Sequence, residues 1–159
     1  MESSIVHMVN ANFSCRAASV EEIIGLRHSV LILGTSRTSP VFDGDEDPDT
    51  RHFGAFERTP AARCVGCVSY MRADLDDEPA YQLRGMAVAP ELQGRGVGSA
   101  LLVFTETRLH FETRVDVFWC NARIRAVGFY RRHGWEVVGD VFEIEGVGPH
   151  RRLIKRLNQ

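Results

Sequence analysis

The sequence predicts an α/β (α+β) fold with a mixed sheet, and three observations carry that prediction. Strand-like stretches recur on both sides of two helix-like ones. Three strand candidates follow one another between short turns, which is the pattern of an antiparallel meander. A strand, a glycine-rich turn and a long amphipathic stretch then form one unit past the middle of the chain. At 159 residues, 44% hydrophobic and 25% charged, the chain has the size of one domain over a single core, so residues 1–159 are read as one domain.

The first strand is expected over about 6–15. Ser19 and Glu22 have capping-box spacing, and Ile23, Leu26, Val30 and Leu33 then share a face, so a helix is expected over about 20–33. GTSRTSPVFDGDEDPDT has no apolar period and reads as a loop, of a length usually functional or mobile. Strands are expected over 51–57, 62–72 and 80–89, separated by ERTP and DLDDEP. Val97, Leu101, Phe104, Leu109 and Phe111 recur close to helical spacing, which predicts a long helix over 97–112. VDVFWC (115–120) is apolar enough for a buried strand, and 124–133 reads as a short helix stopped by a left-handed Gly134. Strands over 135–143 and 151–157 complete the sheet.

Charge and composition exclude several classes of function. Nineteen basic against 21 acidic residues give a net charge of -2, so no overall field exists to hold a nucleic acid. The longest apolar runs, such as Val30–Leu33 and Ala100–Phe104, fall far short of the roughly 20 residues that span a bilayer. MESSIVHMVNANFS has neither a basic leader nor an apolar run, so a cytoplasmic protein is expected. Its four cysteines are read as thiols. Cys64 and Cys67 form a CxxC, but on a regular strand that spacing turns the two sulfurs to opposite faces, and no second pair supplies further ligands, so no metal is expected.

The most informative segment is LRGMAVAPELQGRGVGSALL, from Leu83 to Leu102. Glycine lets backbone approach a ligand without a Cβ in the way, and the free N–H groups of a helix start favour anions. The glycines of Gly94, Gly96 and Gly98 are equally compatible with a tight strand-to-helix turn and no ligand. A Rossmann site would need this turn in an early βαβ unit, and a Walker loop would need GK followed by Ser or Thr, whereas the only lysine is Lys155.

MAVAPELQGRGVGSALL resembles the acyl-CoA-binding signature of the GNAT superfamily of N-acetyltransferases, whose core of Gln or Arg, two residues, Gly, one residue, and Gly or Ala falls here on Gln93, Gly96 and Gly98. NARIRAVGFYRRHGWEVVG resembles the family's second segment, with Tyr130, Gly134 and Trp135 in place. LRHSVLI, the acidic loop and RHFGAF are also similar to the family's ElaA-type branch. The resemblance implies a mixed, mostly antiparallel central sheet flanked by helices, and acetyl-CoA as co-substrate. By the same resemblance, Met86, Ala87 and Val88 pair through their backbones with the pantetheine arm, the Val88 N–H polarises the reacting carbonyl, and the amides of Gly94, Arg95, Gly96, Val97, Gly98 and Ser99 hold the pyrophosphate. Asn121 is a further cofactor contact. The place seven residues before Tyr130, where the family carries Asn, holds Arg123, and Asn121 lies two residues further back. Arg131 and Arg132 could reach nucleotide phosphates or form a solvated face.

Acetyl transfer to an amine needs a neutral amine, a stabilised oxyanion and a proton for the departing thiolate. Tyr130 matches the family tyrosine, and a phenol of ordinary pKa about 10 suits the proton donor. The base is open. Gln82 stands where some members carry a glutamate, leaving Glu143 and His150 as candidates, with His28 and the carboxylates near Asp47 behind them. The expected function is an N-acetyltransferase acting on a small-molecule amine; the alternative is an acyl-CoA-binding regulatory module without efficient turnover. Neither nucleic acid nor membrane is expected as a partner, and a homodimer is left open. Asp43, Asp45, Glu46, Asp47 and Asp49 follow the first helix, so they predict a negative potential where the amine arrives and a preference for cationic acceptors, unless they are only solvated surface.

Overall fold

A computed structural model of the chain describes residues 12–157. Strand β1 occupies Phe13–Ala17, so the expected start at residues 6–11 lies outside the described residues. Helix α1 (Val20–Arg27) starts at its capping box: the Glu22 N–H donates to Ser19 Oγ at 3.3 Å and the Ser19 N–H to Glu22 Oε1 at 3.0 Å. The helix ends differently from its expected run to residue 33. One wide π turn, His28–Ile32, closes it, with the Leu33 N–H reaching back five residues to the His28 carbonyl at 3.1 Å. A π turn inserts a residue and slips the apolar phase by one. Ile32 is therefore buried, and Leu33 is 61% exposed.

Strands β2 (Arg51–Glu57), β3 (Cys64–Arg72) and β4 (Tyr81–Val88) form the antiparallel meander. β3 is buried at every position from Val65 to Met71, as expected of a strand covered on both faces. Two bulges interrupt the alternation. Cys64 pairs with Phe56 and Gly66 with Ala55, so Val65 is an extra residue. The slip places Cys64 on the α1 face with Cys67, which packs against Ile23 and Ala87, and corrects the expectation of opposite faces. Burial pushes the two thiols up, to about 11 at Cys64 and about 12 at Cys67, and no third His, Cys, Asp or Glu joins them among the described residues.

The second bulge lies in β4, where the register steps from Cys67↔Ala87 to Ser69↔Arg84. Gly85 takes φ +66, and a Cβ there would come within 2.9 Å of the Phe42 ring, so both backbone and space require glycine.

Helix α2 (Val97–Thr113) lays Val97, Leu101 and Leu109 on the sheet with Phe104 beside them. Phe111 does not join them. It lies about 200° round the helix from Leu109 and is 73% exposed. Strand β5 (Val117–Arg123) runs beyond the expected 115–120 and carries Asn121 and Arg123 on the strand itself. A 3-10 turn and helix α3 (Val127–Arg132) follow, and Gly134 closes the segment at φ +85. β6 (Glu136–Ile144) and β7 (Gly148–Arg156) form the last hairpin.

The seven strands make one sheet in the order β1-β2-β3-β4-β5-β7-β6, antiparallel at every step but β4–β5. α1 covers one face of the sheet. The larger core lies on the other, between α2 and residues such as Phe53, Val68, Tyr70, Leu83 and Phe118. Among the described residues no helix is long and apolar enough to cross a membrane.

Candidate active site

β4 and β5 pair only at Tyr81↔Phe118 and Gln82↔Trp119, and beyond these rungs the two strands part. The split opens a cleft of about 910 Å³. Its β4 wall is Met86, Ala87 and Val88, its β5 wall includes Asn121, and the start of α2 closes one end. The Ala89 N–H donates to the Val65 carbonyl at 2.9 Å, so the alternation of an antiparallel ladder turns the Val88 N–H away from β3 and toward the split.

Gln93 fastens the glycine turn to this wall, donating from Nε2 to the Val88 carbonyl at 3.1 Å. Gly94 and Gly96 have φ +78 and +89 with nothing within 4 Å of where a Cβ would stand. Gly96 is the N-cap and offers no side-chain cap, so the Val97, Gly98 and Ser99 N–H groups keep the free donors of a helix start. A Cβ at Gly98 would stand 3.2 Å from Phe129, so α2 and α3 approach closely here. One predicted member of the turn, Arg95, has no free amide to offer. The Arg95 N–H is spent on the Leu92 carbonyl at 3.3 Å and its side chain is exposed, while the Val97 side chain belongs to the core.

Tyr130 lines the cleft and is only 4% exposed, its ring 5.2 Å from both Phe129 and Trp135. Burial, with smaller contributions from Cys120 and Tyr70, raises its hydroxyl well above the ordinary phenol value. The group stays protonated, which suits a donor. Trp135 is held from behind by Glu106, whose Oε2 accepts from Nε1 at 3.0 Å and whose Oε1 pairs with Lys155 at 2.8 Å.

Of the base candidates, the structure brings His150 to the cleft. Its Nδ1 lies 2.7 Å from the Gly148 carbonyl, which can only accept, so the neutral ring carries its proton on Nδ1 and keeps a lone pair on Nε2. Glu143 is exposed on β6 and next to Ile144, which does line the cleft, so strand alternation turns its carboxylate to the other side. His28 and Asp47 also stand outside the lining. Asn121 faces the cleft, its Oδ1 accepting from Arg152 Nε at 3.1 Å. Arg132 lines the cleft and Arg131 does not.

In the acidic loop Asp43, Glu46, Asp47 and Asp49 are exposed, as solvated surface would be, and Asp45 alone departs from that. Asp45 is buried and grips Arg27 with both oxygens, at 2.7 and 3.1 Å, while accepting the Phe42 N–H at 2.8 Å. Arg27 also donates to the Pro40 carbonyl and to Ser69 Oγ, and His52 bridges Ser69 and the Asp45 carbonyl. The long loop is thus tied to the sheet, and among the described residues no carboxylate lines the cleft. Sequence reasoning missed Phe42, Arg37 and Arg84. The only signal was Arg84 falling one residue before a glycine whose bulge could not be seen.

Residues 48–137, more than half of the chain, match the model of the acetyltransferase (GNAT) domain. The chain is 30% identical over 142 residues to the uncharacterized N-acetyltransferase YitI of Bacillus subtilis (strain 168), a likeness covering 89% of this chain and 95% of that one. Its fold is similar to Escherichia coli ElaA, with a TM-score of 0.76 and 18% identity over 91% of this chain and 99% of the other. It is similar also to FeeM, an N-acyl amino acid synthase from uncultured soil microbes, with a TM-score of 0.76 and 12% identity over 92% of each chain. With the split sheet, the glycine turn and these likenesses together, the chain belongs to the GNAT acetyltransferase family and is an acyltransferase.

Proposed function

We propose that residues 1–159 form one acetyltransferase domain that moves the acetyl group of acetyl-CoA to the amine of a small molecule. One observation carries the reading: a single cleft holds an unpaired strand edge, a free helix start, a buried protonated tyrosine and a histidine with a free Nε2. The first two fit a long thioester with a charged end, and the last two fit the proton movements of amide formation.

The β4 backbone from Met86 to Val88 pairs with the pantetheine arm, and the amides of Gly94, Gly96, Val97, Gly98 and Ser99 hold the pyrophosphate. Gln93 keeps turn and strand together, and Asn121 adds a side-chain contact from β5. Acetyl-CoA supplies the activated acyl group as a thioester. His150 Nε2 takes the proton of the ammonium form, freeing the nitrogen lone pair to bond to the acyl carbon. The Val88 N–H meets the negative charge that builds on the carbonyl oxygen. As the carbon–sulfur bond breaks, Tyr130 gives its proton to the sulfur. The second proton of the new C–N nitrogen leaves to restore the phenol, so the amide is neutral and His150 alone passes a proton on to solvent. A regulatory module would need none of this proton machinery, so a base and an acid in one cleft favour turnover.

Release of free thiol from acetyl-CoA across a panel of amines tests the reading. Tyr130→Phe should lower kcat by about 10² to 10⁴ while the KM for acetyl-CoA stays within a few-fold. Unchanged kcat in a chemistry-limited assay removes Tyr130 from the mechanism, and a silent panel removes the proposed activity.

A further inference from the structure

We propose that the side of the cleft facing the π turn and the loop after α1 is an anion site formed by Arg37, Arg84 and Arg123, and that the acceptor amine carries a carboxylate. The inference rests on the acyltransferase reading above and names its acceptor class.

Among the described residues, the charged side chains lining the cleft are Arg37, Arg84, Arg123, Arg125 and Arg132, with no Asp or Glu. Arg132 ends α3, whose Phe129 packs on Gly98, so it borders the end assigned to the cofactor's phosphates, and Arg125, in the 3-10 turn after β5, is a charged neighbour of Arg123. The other three come from separate elements. Arg84 lies four residues before Val88 on β4 with the Gly85 bulge between them, so no more than about 13 Å back along the strand from Val88. Arg123 ends β5 and donates from Nη2 to the Leu31 carbonyl at 2.7 Å, which fixes it against the π turn. Arg37 lies in the loop that leaves that turn. All three line the same cleft, and after burial the arginine that lowers Arg84 most is Arg37, while Arg125 and then Arg37 lower Arg123.

They line the cleft without anions of their own. Among the described residues, none of the three takes part in an ion pair within 4.0 Å. Arg84 has the Met71 sulfur at 3.7 Å and the face of Phe42 at 4.7 Å. Asp45 and Asp43 are close enough to favour its charge, but Asp45 is held by Arg27, and Asp43 is exposed and outside the lining. The Phe42 ring also faces Arg27 at 4.0 Å, which braces the aromatic surface beneath the Arg84 guanidinium. Arg84 and Arg123 are partly buried and Arg37 is exposed, and like charges grouped with only neutral partners are unfavourable alone and favourable around a bound anion. The planar guanidinium fork matches a carboxylate in two parallel hydrogen bonds. An acceptor with a carboxylate on this side would place its amine between the arginines and the thioester. A polyamine would meet repulsion there.

The test compares amino acids with their methyl esters and with the matching decarboxylated amines, by thiol release from acetyl-CoA. Wild type should prefer the free carboxylates. Arg84→Met, which keeps the length of the side chain, should lower kcat/KM for them by about 10- to 100-fold and leave the ester reaction and the KM for acetyl-CoA within about threefold. Preference for esters or decarboxylated amines, or an equal loss on all acceptors, overturns the anion site while leaving the acyltransferase intact. Thiol release with no amine at all would instead strike the acyltransferase reading. Calorimetry separates the two further: an N-acetyl amino acid should bind the CoA-loaded protein and bind Arg84→Met at least 10-fold more weakly. No binding to CoA-loaded wild type overturns the inference whatever the turnover shows.

Discussion

Asp45 and Glu106 are each 6% exposed, each beside one cation, and lie on opposite faces of the sheet, the first under the loop after α1 and the second on α2. Burial pulls both carboxyl groups up. At Asp45 two hydrogen bonds from Arg27 and one from the Phe42 N–H outweigh it, and the group ends below its ordinary value. At Glu106 burial prevails over Lys155 and Trp135, and the group ends above. Glu106 is the more densely enclosed of the two, and its partners are also the weaker. A fixed guanidinium fork with a backbone N–H added does more for a carboxylate than a lysine whose side chain is still 23% exposed.

The largest expected effect is at Asp45. Asp45→Asn leaves Arg27 charged and fully buried without its counterion, and should cost about 3–5 kcal/mol in urea unfolding. A loss under 1 kcal/mol would mean that the loop is not held by this pair. Glu106→Gln keeps an oxygen for Trp135 and removes a charge that burial already opposes, so a cost of about 1 kcal/mol is expected. Equal losses at the two sites would erase the contrast.

The smallest effect, and the one that sharpens the comparison most, is the opposite response to pH. A lowered carboxyl stabilises the fold above its unfolded value, near 3.8 for Asp45, and that contribution is lost as pH falls through the folded value. A raised one does the reverse: the Glu106 contribution is present below 4.5 and is lost as pH rises toward the folded value. The stability gap between wild type and Asp45→Asn should thus widen as pH rises from strongly acid to above about 4. The gap to Glu106→Gln should narrow above about 4.5, each by no more than about 1.4 kcal/mol per pH unit. Parallel trends in the two variants would show that the carboxyl groups titrate alike.

What could be read from the sequence was what short-range spacing determines. The capping box at Ser19, the stop at Gly134, the meander and the glycine turn all depend on residues a few positions apart. The places that escaped reading are those where one inserted residue changes the phase. The π turn exchanges Leu33 for Ile32, the bulge at Val65 brings Cys64 to the side of Cys67, and the bulge at Gly85 sets the β4 wall of the cleft. Asp45 escaped for another reason. Its partner Arg27 sits 18 residues away, and composition cannot tell a solvated acid from one bound to a buried arginine. The cleft divided in the same way: Tyr130 and the turn were legible as local motifs, while Arg37, Arg84 and Arg123 reach it only through the fold.

The two rungs between β4 and β5 have a mechanical consequence. β5 is paired with β7 along its whole length, and β4 with β3 along most of its own, so within the sheet two stiff plates are joined by a seam at Tyr81 and Gln82 alone. Such a body resembles a tuning fork, free to flex at its prongs and rigid at its stem. A ligand lying in the split would tie the prongs together, and Leu83–Val88 and Cys120–Arg123 would lose their motion as a unit, including residues that the ligand never touches.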